Sequence, residues 1–343
     1  LAYGPVSAPS PDTRVAVFVP TYNRASLLAG AIRSVLEQTF ERFSLIVADN
    51  ASTDETPEIV GGFGDERLTY VRRPENIGLL GNFNACLSGV KADYCLVLCD
   101  DDLLEPTFLE STVPLLDENP RVGMVHSSFR VIDAEGAPIE EADWTYGLTA
   151  DTIESGERFL RESIEWGCRV CSSAALMRTE AFVAEPFEEE DFPAIDFGLW
   201  LRMAVDWDIA FVARPLAAYR IHSGAQTATF GPPVDAGYGA GDEWVAKRAQ
   251  VKTRFLDEHG HRLQDAAALR RALPASRRRD VLGLVRSATF PARNPGETLR
   301  MLRWAAGVEP RVLVEGAAWR LLVASLLSPR VFARIQRLRG QST

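Results

Sequence analysis

Three consecutive aspartates, Asp100, Asp101 and Asp102, follow the apolar run Tyr94-Cys95-Leu96-Val97-Leu98-Cys99 and precede Leu103-Leu104-Glu105-Pro106. The run reads as a buried strand. Carboxylates crowded at its end repel one another and lose hydration unless something positive compensates. A divalent cation held by oxygen ligands, often shared with a substrate's phosphates, is the usual compensation. The triplet therefore points to a metal–phosphate site. The alternative is a solvated acidic turn that caps a helix starting near Pro106.

The elements around the triplet decide between these. Val15–Val19 reads as a first strand stopped by Pro20, and Ser26–Gln38 as a helix with Leu27, Leu28, Ile32, Val35 and Leu36 at helical spacing. Phe43–Ala48 is a second strand, Thr56–Gly61 a helix, Leu68–Arg72 a third strand, Leu80–Val90 a helix and Tyr94–Cys99 a fourth strand. Alternation at this spacing predicts βαβ units and a mainly parallel sheet. Polar residues sit just past three strand ends: Thr21-Tyr22-Asn23, Asp49-Asn50 and Asp100–Asp102. Ligands of open α/β sheets bind outside the carboxyl ends of the strands, so three such ends on one edge favour a site over an incidental acidic turn.

Further along, the pattern predicts a helix from Pro106 to Asn119, strands at Val122–His126, Cys171–Met177 and Ile209–Ala213, and a helix at Phe197–Val205. The Gly/Pro-rich stretch Gly224–Gly241 reads as a loop or linker. Beyond it, helices are expected over Glu243–Glu258, Leu263–Leu273, Arg277–Ser287, Pro295–Ala306 and Arg311–Leu327. The expected organisation is an N-terminal arm (1–13), an α/β catalytic domain (14–227), and a linker with a basic helical region (228–343).

The 343 residues carry a net charge of −10, unevenly spread. From Leu269 onward there are 15 Arg, no Lys and 4 acidic residues, a net of +11, so the remainder carries −21. An acidic body with a basic tail results. The odd cysteine count (86, 95, 99, 168, 171), with two in the apolar run, suggests buried free thiols in a reducing compartment. No basic-then-apolar leader and no uninterrupted apolar stretch of membrane-spanning length is seen, so the expected location is the cytoplasm.

Several ordered motifs over roughly residues 14–227 closely resemble the family 2 glycosyltransferases, inverting enzymes of the GT-A fold. Val17-Phe-Val-Pro-Thr-Tyr-Asn-Arg24 is similar to the opening strand and its nucleotide-contacting turn, and Val47-Ala-Asp-Asn-Ala-Ser-Thr-Asp54 to the second turn. Arg73-Pro-Glu-Asn-Ile-Gly78 and Gly81-Asn-Phe-Asn-Ala85 match the segment along the nucleotide. Cys99–Pro106 matches the Asp-x-Asp-type metal motif, with Cys99 where many members place an acid. Asp196–Arg202 is similar to the segment carrying the catalytic base, and Tyr219-Arg-Ile-His-Ser-Gly-Ala-Gln-Thr227 to the closing metal and phosphate segment.

The resemblance implies a GT-A fold, Mn²⁺ or Mg²⁺ as cofactor, and transfer of a sugar from a UDP- or dTDP-sugar to an acceptor hydroxyl. It implies that Asp101 and Asp102 lie around the metal with His222, and that Asp100 and Asp101 lie along the nucleotide sugar. A neutral imidazole suits Mn²⁺ better than Mg²⁺. Asp49 is expected to accept from N3–H of uracil or thymine, with Pro20, Thr21 and Tyr22 walling the base. Asn23, Arg24, Asn50, Arg73, Gly78, Asn82 and Arg220 complete the expected nucleotide-sugar contacts. Asp196 is the implied base. The acids Glu188–Asp191 before it would raise its pKa, and it could equally cap the helix that follows. Asp191 and Glu190 are fallback bases.

In the C-terminal region, arginines alternate with apolar and Trp positions, as in Leu299–Trp304 and Ala318–Leu322. Basic amphipathic helices with Trp read as membrane-surface elements, which would suit a lipid-linked acceptor on the inner membrane face. Packing on the acidic domain, or a homodimer, is the competing expectation. No nucleic-acid-reading motif accompanies the arginines. A non-catalytic nucleotide-sugar-binding or scaffold subunit is the alternative function.

Overall fold

The computed structural model describes residues 12–87, 90–139, 148–225, 241–289, 295–314 and 318. The expected N-terminal arm, most of the Gly/Pro-rich stretch and residues 319–327 of the last expected helix lie outside the described residues. The chain divides into two compact units. One comprises residues 1–163, 168–223 and 257–264, and the other residues 164–167, 224–256 and 265–343.

The first unit is built on a nine-stranded sheet of order β3-β2-β1-β4-β8-β6-β9-β5, with β7 pairing β9. The strands are β1 (Val15–Thr21), β2 (Phe43–Asp49), β3 (Leu68–Arg72), β4 (Tyr94–Val97), β5 (Leu103–Leu104), β6 (Val122–Ile132), β7 (Thr152–Glu154), β8 (Ala175–Arg178) and β9 (Asp208–Arg220). Strands β1 to β4 are mutually parallel, and β6 runs parallel to β9. Strand β8 is antiparallel to both β4 and β6, so the sheet is mixed about a parallel core. Helices α1 (Ala25–Leu36), α2 (Thr56–Gly61), α3 (Gly78–Leu87), α4 (Phe108–Glu118), α5 (Gly156–Trp166), α6 (Thr179–Val183) and α7 (Ile195–Met203) connect the strands. All seven residues of β1 are buried, as expected for a central strand covered on both faces.

Strand β1 does not stop at Pro20. It continues to Thr21, with Pro20 opposite Ala48 and Thr21 opposite Asp49. Phe18 accepts from Leu98 N–H on the β4 side, and Thr21 accepts from Asn50 N–H on the β2 side. Pro20 therefore turns its missing donor toward the β4 side, where the strand has already ended at Val97. The ladder loses nothing, and the chain is carried one step closer to the acidic triplet.

Three other expectations are corrected. The strand placed at Cys171–Met177 is instead a 3₁₀ turn, Ser172–Ala174, followed by β8. Ala174 N–H donates to Cys171 O at 2.9 Å, closing that turn in place of a ladder bond. The strands at Val122 and Ile209 run longer than predicted, β9 passing through Pro215 at a register shift.

The second unit holds α8 (Gly241–His259) as far as Leu256, together with α9 (Ala266–Thr289) and α10 (Pro295–Val308). The two helices expected on either side of Pro274 are one helix, α9. Pro274 lies in its third turn, where tertiary packing outweighs a local cost of about 3 kcal/mol. Val245, Val281, Met301, Leu302, Ala305, Val312 and Ala318 form a separate apolar core in this unit. Among the described residues, no helix is long and apolar enough to cross a membrane.

Candidate active site

The acidic triplet lies beyond the end of β4, in a turn closed by Asp102 N–H donating to Cys99 O at 3.2 Å. On a strand, adjacent side chains would point to opposite faces, whereas the turn lets all three carboxylates stay on the site side. They are 5%, 9% and 1% exposed. Asp100 accepts from Thr21 Oγ1 (2.7 Å) and Arg24 (3.1 Å), and Arg24 reaches Asp101 Oδ2 at 2.7 Å. His222 Nε2 is 3.1 Å from the same Asp101 oxygen. Asp102 is held by Ser173 Oγ (2.6 Å) and the Arg220 backbone N–H (2.8 Å) and has no cation of its own among these contacts.

Burial pushes the Asp100 carboxyl up to about 6, against the pull of Arg24. Burial, then the neighbouring Asp101 charge, pushes Asp102 up as well. This is stored unfavourable charge of the kind a cation relieves. The donor set fits one. Cys99 Sγ and carboxylate oxygens of Asp101 and Asp102 lie within 4.8 Å of one another, and this is the one such cluster among the described residues.

Asp196 sits in the first turn of α7, one residue past its start, so it is not the helix cap; Ala194 holds that position. Its Oδ2 accepts from Ser172 Oγ at 2.9 Å and its Oδ1 from Phe197 N–H at 2.7 Å. Cys171 feels both Asp102 and Asp196. Its thiol is raised by burial first, then by Asp102, with Asp196 contributing, which places both carboxylates about one residue. Two of the four acids expected to bias Asp196, Glu188 and Asp191, are spent elsewhere. Glu185, Glu188 and Asp191 converge on the buried Arg202 at 3.3, 3.3 and 2.7 Å. Asp191 is fully buried in that knot and is corrected as a fallback base.

The expected nucleotide residues separate into two groups. Pro20 and Thr21 are buried at the strand end, while Tyr22 is 44% exposed beside them, as a wall for a base requires. Arg24 reaches the acids directly. Asn23 adopts φ 53° and accepts from Thr53 N–H (2.7 Å), while its own N–H donates to Ser52 Oγ (2.9 Å), tying the first turn to the second.

Others are turned inward. Asp49 is fully buried, and its carboxylate accepts from Ser52 N–H (2.8 Å) and Tyr70 Oη (2.5 Å), with Arg72 at 3.5 Å. With these contacts it closes its own turn. Asn50 bridges Asn76, Ile77 and Gly78, the last at φ 76°. Arg73 is buried and donates to Asn82 Oδ1 at 3.2 Å, and Asn82 donates to Ala48 O at 2.8 Å, so both brace the back of the β2 turn. Arg220 turns inward as well. Its guanidinium donates to the backbone carbonyls of Asp101, Asp133 and Ala134 and so fixes the triplet's backbone rather than facing a phosphate.

Sequence reasoning missed Ser172, Ser173 and Thr21's direct grip on Asp100. No signal in the sequence marks a serine pair 71 residues from the acid it holds. Only the pairing of β8 with β4 brings them together.

The glycosyl transferase family 2 model matches residues 16–182. An uncharacterized protein of Mycobacterium tuberculosis is 30% identical over 216 residues, covering 59% of this chain and 57% of that protein. An uncharacterized glycosyltransferase of Rickettsia conorii is 26% identical over 217 residues, covering 63% of this chain and 34% of that protein. The chain thus spans about a third to a little over half of these relatives' length. Among solved structures, S. aureus TarS 1–349 in complex with UDP-GlcNAc superposes with a TM-score of 0.54 at 16% identity, over 87% of this chain and 88% of that one. The mannosyltransferase PcManGT from Pyrobaculum calidifontis, with GDP-Man and Mn²⁺, gives 0.51 at 20% identity over 94% and 89%.

Proposed function

Residues 16–182 of this chain are a glycosyl transferase family 2 domain within a GT-A fold, and on that premise we propose an inverting sugar transferase. The donor is a nucleoside-diphosphate sugar, UDP- or dTDP-linked first, and the acceptor is a hydroxyl. The observation that carries this reading is the joint mounting of Asp102 and Asp196 on consecutive serines, beside Asp101 and His222. A transferase needs these two functions side by side: a place for the leaving diphosphate and a base for the incoming hydroxyl.

Asp101, Asp102 and His222 would hold Mn²⁺ or Mg²⁺, with the Cys99 thiol at the edge of the set. When bound, the cation supplies charge stabilisation for the departing diphosphate. Asp100, fixed by Thr21, is placed for the donor's ribose, and Tyr22 for the face of its base. Asp196 takes the acceptor proton as the hydroxyl attacks the anomeric carbon, and the sugar inverts in a single displacement. With Asp49 closing its turn, pyrimidine selectivity has no direct carboxylate reader, so GDP-sugars belong in the donor panel. For the acceptor, a lipid-linked glycan and contact with an anionic membrane surface are proposed. The exposed Leu299, Leu313 and Val314 among the C-terminal arginines support that part.

The test is hydrolysis and binding across UDP-, dTDP- and GDP-sugars with Mn²⁺, Mg²⁺ or EDTA, in wild type and Asp196→Asn. The expected result is cation-dependent release of one nucleoside diphosphate. Asp196→Asn should lose about 10²–10⁴-fold in turnover while donor affinity stays within a few-fold. Binding of every donor at no measurable level would overturn the reading. Tight binding without turnover, even with lipid-linked acceptors, would favour a non-catalytic binder.

A further inference from the structure

The 3₁₀ turn Ser172–Ala174 lies between two parts of the site that come from distant stretches of chain. Ser173 is 1% exposed, donates to Asp102 Oδ2 at 2.6 Å and accepts from Cys99 N–H at 3.2 Å. Its neighbour Ser172 donates to Asp196 Oδ2 at 2.9 Å. A hydroxyl has one proton, and each of these serines gives it to a carboxylate. Consecutive Cα atoms are fixed about 3.8 Å apart, so the two carboxylates share one short, stiff mount. The mount is anchored on both sides. Ala174 N–H donates to Cys171 O at 2.9 Å, and the turn runs directly into β8, whose Ala175 and Met177 pair with β6 and whose Met177 and Arg178 pair with β4.

We infer that Ser172 and Ser173 are positioning residues that hold the base and the cation-side carboxylate in register, so that cation binding and proton acceptance are set by one turn. The inference rests on the proposed transferase reading. It assigns the two hydroxyls separable duties. Ser173 fixes the direction of Asp102's free lone pairs and, through Cys99 N–H, the turn that presents the triplet. Ser172 fixes one oxygen of Asp196, while the helix terminus engages the other through Phe197 N–H. A carboxylate released from such a partner keeps its chemistry but loses its aim.

The experiment measures Mn²⁺ binding from the free-ion EPR signal, together with kcat and donor KM for sugar-nucleotide hydrolysis, in the full chain. The variants are Ser172→Ala, Ser173→Ala and Ser172→Thr. Ser173→Ala is expected to weaken Mn²⁺ binding about 10-fold or more while kcat at saturating Mn²⁺ stays within about 3-fold. Ser172→Ala is expected to lower kcat about 10-fold with Mn²⁺ binding and donor KM unchanged, and Ser172→Thr, which keeps the hydroxyl, to recover most of that loss. Parallel loss of both properties in both alanine variants, tracking a fall in thermal midpoint, would overturn the inference and leave a merely structural turn. So would unchanged values in a wild-type background that binds Mn²⁺ and turns over donor. A wild type that does neither sinks the transferase reading and this inference together, which separates the two failures.

Discussion

Two buried charge clusters in this molecule look alike in a residue count and differ in balance. In the second unit, Lys252 is 2% exposed and donates to Asp280 Oδ2 at 2.9 Å and to Ser276 Oγ at 2.6 Å. Ser276 passes its own proton to Ile164 O at 2.6 Å, and Arg248 adds a second contact to Asp280 at 3.5 Å. Lys252 and Asp280 face each other directly there, so the buried carboxylate meets a buried cation. At the end of β4, Asp100 and Asp101 share one guanidinium, His222 also faces Asp101, and among the described residues the third buried carboxylate, Asp102, is held by a hydroxyl and a backbone N–H. A closed knot is structure. An acid cluster left short of positive charge fits the proposed cation.

The largest test of that difference sets one substitution in each cluster against the other. Lys252→Met strands Asp280 beside Arg248 alone and is expected to cost about 3–5 kcal/mol of stability, read by denaturant unfolding. Asp102→Asn removes a buried like charge; its one amide oxygen can accept from Arg220 N–H while its NH2 donates to Ser173 Oγ. In EDTA it is expected to raise the thermal midpoint and in Mn²⁺ to abolish the ion's stabilising shift. If Asp102→Asn destabilises in EDTA as Lys252→Met does, the two clusters are the same kind of thing.

The pH dependence has opposite senses in the two places. Asp100 holds its proton to about pH 6 in the folded chain, against 3.8 for the unfolded side chain. Folding therefore takes up a proton between these values, and metal-free stability falls as pH rises from about 4 to 6. Burial lowers Lys252 to about 8 from 10.5, against the raising effect of Asp280, so its contribution makes stability rise as pH goes from about 8 to 10.5. Urea midpoints across both windows check the signs. Asp100→Asn should flatten the first slope and Lys252→Met the second.

The smallest effect sharpens the comparison inside the site. Arg24 competes with any incoming cation for Asp100 and Asp101, whereas Arg220 spends its guanidinium on backbone carbonyls. Arg24→Ala is expected to tighten Mn²⁺ binding a few-fold, by isothermal titration, and Arg220→Ala to lower the thermal midpoint without changing donor KM. Weaker Mn²⁺ binding in Arg24→Ala would make Arg24 a support of the site rather than a stand-in for its cation.

Much of the fold was legible in the chain because the signals were local. The buried runs at Val15, Phe43, Leu68 and Tyr94 and the helical spacing between them gave the parallel half of the sheet nearly to the residue. The triplet, Asp196 and His222 stood out for the same reason, as polar groups at strand ends or inside a motif. The sequence was less informative where a side chain's hydrogen bonds run to a distant partner. Arg220 and Asn82 carry the right chemistry for a phosphate or a ribose, yet their hydrogen bonds run into the protein. Pro274 reads as a helix break but lies inside α9, because packing in the second unit outweighs the local cost.

What the sequence determined by itself is the alternation of elements, the edge at which the polar strand ends collect, and the acids available there. Those follow from short-range hydrophobic period and from residue type. The tertiary structure alone decided which of those polar groups face the site and which close upon the protein. It also brought Ser172 and Ser173 under Asp196 and Asp102, through the antiparallel insertion of β8 between β4 and β6. Hydrogen bonds between residues 24 and 71 positions apart leave no periodic trace in a sequence, because nothing local specifies their partner.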